Sequence, residues 1–204
     1  MMFSCLLLGT LPTVPQHFVD RAINLAKQGG TNLCAKDYTQ QGYLTRDVKT
    51  LDGTVTKSRH VESYAMGSDW EQWVKENIIS EYLETGVRSS VGSESAIHGV
   101  HVDTPVKWKF FYLIEEGGEN VITTFYLEKN HPAVRYGTPD NIVHSVDYSE
   151  LVPIDAVHIP VNQWVFFDTR VMHGVENILS DRTMLVISVA PEAVTFEIKL
   201  TNKK

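Results

Sequence analysis

The sequence predicts a mainly β protein in which N-terminal helices brace a C-terminal β sandwich or barrel. From about residue 95 onward, short runs rich in Val, Ile, Phe, Tyr and Thr alternate with turn residues, which is typical of such folds. Earlier in the chain, apolar residues recur at helical spacing in two segments. The 204 residues suffice for one well-buried core. We therefore expect a single domain over 1–204, with helical support to about residue 90 and a β barrel over about 91–204.

The first 62 residues predict a strand, a helix and a polar region. The apolar stretch 3–8 predicts a strand. A helix is expected from Pro15 to about Lys27, because its apolar residues fall on one side and two glycines follow it. Residues 31–62 are polar and rich in threonine, so we expect irregular or hairpin structure there.

The second helix and the strands of the barrel follow from their patterns. Ser68 and Glu71 form the sequence pattern of a capping box, and an apolar stripe runs on from Trp70. The strands are expected at 95–102, 107–114, 120–128, 141–147, 151–159, 163–168, 171–176, 183–190 and 193–200.

Composition narrows the functional classes. A net charge of −7 argues against a nucleic-acid partner, since phosphate binding requires a lysine- and arginine-rich face. Two cysteines, Cys5 and Cys34, are too few for a disulfide scaffold and lack metal-site spacing. The stretch 3–8 is too short for a signal peptide or a membrane span. We expect a cytoplasmic protein with no membrane partner.

One histidine–carboxylate pair lies on a predicted strand. Residues two apart on a strand share a face, so His101 and Asp103 are expected to point together into a barrel mouth. His173 lies early on a later predicted strand. Two imidazoles and one carboxylate are the ligand set of a non-haem Fe(II) site with open positions.

A charged residue opens the next apolar strand. Arg182 precedes the run from Thr183 to Val189, where burying a cation is expensive without a partner. A guanidinium can grip both oxygens of a carboxylate, so Arg182 is a candidate anchor for an organic acid. The competing interpretation is a structural ion pair with Asp168 or Asp181.

Together, His101-x-Asp103, His173 and Arg182 resemble the signature of the 2-oxoglutarate- and Fe(II)-dependent dioxygenases. The nine-residue step from His173 to Arg182 is similar to that of the prolyl-hydroxylase-like branch. The resemblance covers roughly residues 95–190. It implies a double-stranded β-helix, or jelly roll, in which His101, Asp103 and His173 hold Fe(II) and Arg182 binds the distal carboxylate of 2-oxoglutarate.

The resemblance also implies the reaction. A substrate C–H bond is oxidised by O2 while 2-oxoglutarate is converted to succinate and CO2, with ascorbate as a reductant. Related halogenases lack the metal carboxylate, so the presence of Asp103 favours hydroxylation. Some family members carry a serine two residues after the arginine, where this chain has Met184. We expect Tyr112 to supply the missing hydroxyl, since it shares a presumed inner face with Trp108 and Phe110.

Other interpretations stay open at this stage. A cupin-type metal oxygenase would need a further histidine near the first pair, which His98 supplies poorly. A jelly roll without turnover could be a binding or assembly module. His60-x-Glu62 is a competing motif in a polar loop, and Arg135 and Tyr136 lie where such barrels contact substrate. The substrate is expected to be a small molecule or a peptide. Neither the substrate nor the oligomeric state follows from the sequence.

Overall fold

The computed structural model describes residues 5–30, 47–49, 55–57, 61–92, 96–102, 108–129, 135–138, 141–144 and 148–189. These residues form two helices and fourteen strands. The helices are α1 (Gln16–Gln28) and α2 (Ser68–Asn77). The strands are β1 (Cys5–Leu7), β2 (Asp47–Lys49), β3 (Val55–Lys57), β4 (Glu62–Tyr64), β5 (Glu84–Ser90), β6 (Ala96–His101), β7 (Trp108–Glu116), β8 (Ile122–Glu128), β9 (Arg135–Thr138), β10 (Asn141–His144), β11 (Leu151–Val157), β12 (Trp164–Asp168), β13 (Met172–Ile178) and β14 (Arg182–Val189).

Eight of these strands form a jelly roll, which confirms the predicted fold class. A large sheet has the order β1-β12-β7-β14-β5-β4, and a small sheet has the order β11-β8-β13-β6. Strands β5 to β8 alternate between the two sheets, and so do β11 to β14, with every pairing antiparallel. Such alternation is the wrapping of a double-layered roll.

The two ends of the roll differ in what they carry. At one end, called the loop end, the chain passes from β6 to β7 and from β12 to β13. At the other, called the hairpin end, short turns connect β7 to β8 and β13 to β14. His101 and His173 lie at the loop end, and Arg182 begins β14 at the hairpin end.

Both helices contribute apolar side chains to a core on the outer face of the large sheet. Phe18 of α1 and Trp70 of α2 meet edge to face at 5.2 Å between ring centroids. Trp70 is fully buried and donates its indole N–H to Thr85 Oγ1 at 2.8 Å. This core covers the large sheet from outside, so its central strands are buried on both faces. Neither of the two described helices is long and apolar enough to cross a bilayer.

The structure departs from the sequence prediction at β5 and at the start of α2. Strand β5 was not predicted, because its sequence Glu-Thr-Gly-Val-Arg-Ser-Ser has little apolar character. The capping box at α2 does not form: Ser68 is the first helical residue, Gly67 is the N-cap, and no side chain caps the helix. In the polar region, β2 and β3 pair as an antiparallel hairpin, which is one of the two forms expected there. The predicted strand 193–200 lies outside the described residues.

Candidate metal and 2-oxoglutarate site

The structure brings two of the predicted metal ligands together. His101 is the last residue of β6 and His173 is the second of β13, and the two are direct partners in the antiparallel register. Directly opposed residues point to the same face of a sheet. Their ring centroids lie 4.4 Å apart, at an interplanar angle of 54°. This places two imidazoles side by side at the loop end, as binding to a common ion requires.

Backbone contacts orient both imidazole rings. His101 Nδ1 lies 2.8 Å from the carbonyl oxygen of Gly99, and His173 Nδ1 lies 2.8 Å from that of Val171. A carbonyl can only accept, so each Nδ1 is assigned as the protonated donor and each Nε2 carries the lone pair. Metal-bound histidines are usually held in this way by a second hydrogen bond to a carbonyl or carboxylate.

Aromatic rings cover one side of His173. The ring of Phe167 meets it edge-on at 4.7 Å between centroids, and Phe125 lies at 6.2 Å. Both phenylalanines and His173 are buried. An apolar wall of this kind excludes water from one side of the ring and lowers the local dielectric.

The third predicted ligand, Asp103, lies outside the described residues. His101 ends β6 and the chain is described again only from Trp108, so the segment between them carries this carboxylate. Within the described part of the chain, no group of three or more His, Cys, Asp or Glu residues could hold a metal ion. The assignment of Asp103 therefore stays a prediction.

Arg182 is buried between the two sheets at the hairpin end. Only 3% of it is exposed. Its side chain shares a face of β14 with Met184, which packs with the apolar residues between the sheets. Nη1 donates to the carbonyl oxygen of Glu116 at 2.6 Å, while Nε is buried with no hydrogen-bond partner among the described residues. Burial lowers the pKa of Arg182 to about 10, an effect that the charge of Glu116 partly opposes.

The two carboxylates considered as structural partners of Arg182 have other partners. Asp168 is bonded through both oxygens to Arg170, at 2.9 Å from Nε and 2.6 Å from Nη2. Asp181 Oδ1 accepts from the backbone N–H of Gly92 at 3.0 Å. The Glu116 carboxylate itself lies 2.5 Å from His158 Nε2. Arg182 is thus a buried cation that neither Asp168 nor Asp181 neutralises through a hydrogen bond.

Ser90 lies directly opposite Arg182, in the register of β5 with β14. It is 2% exposed, and its hydroxyl has no hydrogen-bond partner among the described residues. Buried polar atoms in native proteins are nearly always paired, so such an atom calls for an explanation. Two neighbouring side chains with unsatisfied donors, one of them charged, form a site suited to a carboxylate. Ser90 carried no signal in the sequence, because β5 was not predicted.

Tyr112, the residue expected to assist Arg182, lies on the other face of β7. It packs in the core beneath the helices together with Trp108 and Phe110. Its ring lies 5.2 Å from that of Trp164, and its hydroxyl is bonded to the backbone of Val14. Burial raises the pKa of Tyr112. The structure does not bring this side chain to Arg182.

The remaining sequence candidates take other positions. His98 is buried and pairs with Val175, two positions along β13 from His173. His60 lies outside the described residues, whereas Glu62 accepts a hydrogen bond from the hydroxyl of Tyr64. The backbones of Arg135 and Tyr136 belong to β9, which pairs with β10.

Gly117 allows the backbone to pass close to Arg182. Its φ of +90° is one that residues with a side chain rarely adopt. A Cβ at this position would lie 3.2 Å from Cβ of Arg182 and 3.2 Å from Cγ2 of Ile178. The Gly117-Gly118 pair was visible in the sequence as a turn, but its contact with the arginine was not.

Comparison with known proteins supports the fold. No protein-family model matches the chain, and no curated protein matches it either. AviO1 from Streptomyces viridochromogenes Tue57 has a TM-score of 0.50 at 13% identity, covering 94% of this chain and 91% of its own. A prolyl hydroxylase from Trichoplax adhaerens, solved with a hypoxia-inducible-factor peptide, gives 0.49 at 13%, with 93% and 84% covered. An oxidoreductase of the 2OG-Fe(II) oxygenase family from Burkholderia pseudomallei gives 0.42 at 10%, with 84% and 89% covered.

Proposed function

We propose that this protein is an Fe(II)- and 2-oxoglutarate-dependent dioxygenase that hydroxylates a small molecule or a peptide. The observation that carries the proposal is the pairing of His101 with His173, each oriented by a carbonyl so that Nε2 carries the lone pair. Support comes from a second place between the same two sheets, where Arg182 Nε and Ser90 Oγ are buried with no hydrogen-bond partner in the described part of the chain. A metal site and an anion site in one barrel are what this chemistry needs.

The residues fit the metal. Nitrogen ligands from two histidines and one carboxylate suit ferrous iron and leave coordination positions open for the co-substrate and O2. His101 and His173 would hold it through Nε2, and Asp103 is proposed as the third ligand. The Gly99 and Val171 carbonyls keep the rings from rotating, which reduces the entropy lost on binding. A reducing cytoplasmic compartment would keep the iron ferrous.

The residues also fit the co-substrate. We propose that Arg182 Nε and Ser90 Oγ donate to the distal carboxylate of 2-oxoglutarate, at the hairpin end. The keto acid end would then point toward the histidines at the loop end. The dicarboxylate neutralises the buried guanidinium, which removes the penalty of an isolated cation in an apolar setting. Iron with bound 2-oxoglutarate and O2 would couple decarboxylation to the oxidation of a C–H bond.

Access for the substrate is proposed at the loop end. Leu127 lies two residues beyond Phe125 on β8, so the two share a face, and Leu127 is 51% exposed. Its partner in the register, Val152 of β11, is 42% exposed. This apolar rim next to the histidines supports a substrate, whether small molecule or peptide, that presents apolar surface.

Anaerobic titration tests the proposal. Adding Fe(II) and 2-oxoglutarate to the purified protein is expected to produce a weak visible charge-transfer band. The band should be lost in His101→Ala and His173→Ala, and kept in His17→Ala, which removes an exposed histidine of α1. Binding of neither Fe(II) nor 2-oxoglutarate to the wild type would refute the proposal.

Slow succinate release with O2 and ascorbate, in the absence of substrate, distinguishes an enzyme from a binding module. The wild type is expected to release succinate from 2-oxoglutarate at a low rate, and His173→Ala is not. Binding of iron and 2-oxoglutarate without any succinate would favour the binding or assembly module. The cupin alternative predicts that His98→Ala removes a metal ligand; we expect metal binding to persist in that variant.

A further inference from the structure

The turn that precedes His173 is stabilised by an ion pair between Asp168 and Arg170. Asp168 ends β12 and is 1% exposed. Its Oδ1 accepts from the backbone N–H of Arg170 at 3.0 Å and from Nε at 2.9 Å, and its Oδ2 accepts from Nη2 at 2.6 Å. The carbonyl of Asp168 also accepts from the N–H of Val171 at 3.3 Å. Four hydrogen bonds therefore hold a turn of four residues.

The same guanidinium contacts a second segment. The carbon Cζ of Arg170 lies 4.5 Å from the ring centroid of Trp108, in the geometry of a cation–π contact. Trp108 is in turn stacked on Phe166 at 5.1 Å and 18°. Trp108 also pairs with Asp168 in the register of β7 with β12. The arginine is thus fixed by a carboxylate at one edge and by an indole at its face.

The turn held by Arg170 leads directly to His173. The turn 168–171 ends at Val171, whose carbonyl accepts the hydrogen bond from His173 Nδ1. Trp108 belongs to β7, so the arginine joins this turn to the neighbouring strand of the large sheet.

We propose that Arg170, held by Asp168 against Trp108, is a positioning residue that fixes the turn 168–171 and, through that turn, the ring of His173. This inference rests on the proposed metal site and adds the residues that hold one of its ligands, His173, in position. Asp168, Arg170 and Trp108 are together called the clamp. The clamp lies on the helix-facing side of the large sheet, where Trp108 and Phe166 pack, so it touches neither the metal nor the co-substrate. Its effect passes through the Val171 carbonyl to the ring of His173.

Metal affinity measures this role directly. Co(II) is the probe, since its visible absorption reports histidine ligation without oxidation of the site. Changes to groups that orient metal ligands weaken metal binding by roughly 10–100-fold. We expect such a loss in Arg170→Ala and Asp168→Asn. Arg170→Lys keeps a cation over Trp108 but loses the paired hydrogen bonds, so it should recover part of the affinity.

A matched control separates positioning from general stability. Arg21 and Asp69 form a similar two-bond pair, at 2.6 and 2.7 Å, between the two helices. Arg21→Ala should leave the Co(II) affinity and spectrum unchanged. If Arg170→Ala does not fold, Arg170→Lys and Trp108→Phe carry the test, with folding checked by circular dichroism.

The outcomes are distinct. Weaker Co(II) binding with an altered spectrum in folded Arg170 variants, and unchanged binding in Arg21→Ala, support the clamp. Wild-type Co(II) affinity and spectrum in folded Arg170 and Asp168 variants overturn it while leaving the metal site in place. Failure of the wild type to bind Co(II) overturns both the clamp and the proposed function.

Discussion

Replacing Arg182 with methionine tests the anion site most sharply, because two measurements should move in opposite directions. Each hydrogen bond to a charged group contributes roughly 1.5–3 kcal/mol. Loss of the one such bond proposed from Arg182 Nε therefore weakens 2-oxoglutarate binding by about 1.5–3 kcal/mol, or on the order of 10–10²-fold in Kd. Isothermal titration of the protein loaded with Zn(II) in place of iron measures this directly.

The stability of the protein without 2-oxoglutarate should rise in the same variant. A pKa lowered to about 10 by burial corresponds to about 3 kcal/mol against the protonated side chain. Arg182 is protonated in the unfolded chain, so this penalty is present at neutral pH and falls only as pH rises through 10. Methionine removes the penalty but leaves the Glu116 carbonyl without its donor, which costs about 1 kcal/mol.

Thermal unfolding completes the test. A net gain of about 1–2 kcal/mol raises Tm by roughly 2–8 °C for a chain of this size. Added 2-oxoglutarate should raise the Tm of the wild type and not that of Arg182→Met. Arg21→Met, at an exposed pair, is the control for loss of a positive charge. A variant that is less stable than the wild type, and that binds 2-oxoglutarate equally well, would show that Arg182 is structural.

Three further results are expected from other positions. Ser90→Ala should weaken 2-oxoglutarate binding by about 10–100-fold, because it removes one hydrogen bond to a charged group. Ser89→Ala, on the opposite face of β5, should leave the affinity unchanged. Equal effects of the two variants would show that Ser90 does not bind 2-oxoglutarate. Gly117→Ala should lower the free energy of unfolding by about 1–3 kcal/mol, because the φ of Gly117 is +90° and the new Cβ would lie 3.2 Å from Cβ of Arg182. Both Tm and 2-oxoglutarate affinity should therefore fall. An unchanged Tm would contradict this strain. Burial raises the pKa of Cys5 to about 12, so in a Cys34→Ser background its labelling by iodoacetamide at pH 8 should be slow until the protein unfolds; rapid labelling of the folded protein would contradict that burial.

The parts of the site that sequence reasoning reached are those with a clear strand period. His101 ends a short strand and His173 starts another, so their shared orientation followed from alternation. Arg182 was recognisable because a charge at the start of an apolar strand is unusual. That its pairing with Asp168 and Asp181 does not occur could not be read from sequence, since those carboxylates are satisfied by Arg170 and by a backbone N–H.

Tyr112 shows where alternation fails. Strand β7 is covered on one face by the helix-side core and on the other by the small sheet, so both faces are apolar. Its sequence then carries no signal of which face points between the sheets. Phe111 and Leu113 face the interior, and Tyr112 faces the helices.

Ser90 was not predicted because its strand, unlike β7, is mostly polar. Strand β5 is rich in polar residues and contains a glycine, so neither strand pattern fits it. It is nevertheless held in the large sheet by β14 and β4. Under the proposed function, the polar character of Ser90 is explained by a hydrogen bond to the bound dicarboxylate. Deviations from local preference of this kind are expected at functional sites.

A crystal structure with Mn(II) as a stable stand-in for Fe(II), and with 2-oxoglutarate, tests the central claim most directly. Anomalous scattering should locate one metal ion, bound by Nε2 of His101 and of His173. The distal carboxylate should lie within hydrogen-bond distance of Arg182 Nε and Ser90 Oγ. A metal ion bound elsewhere, or a dicarboxylate that leaves the guanidinium without a partner, would contradict the account.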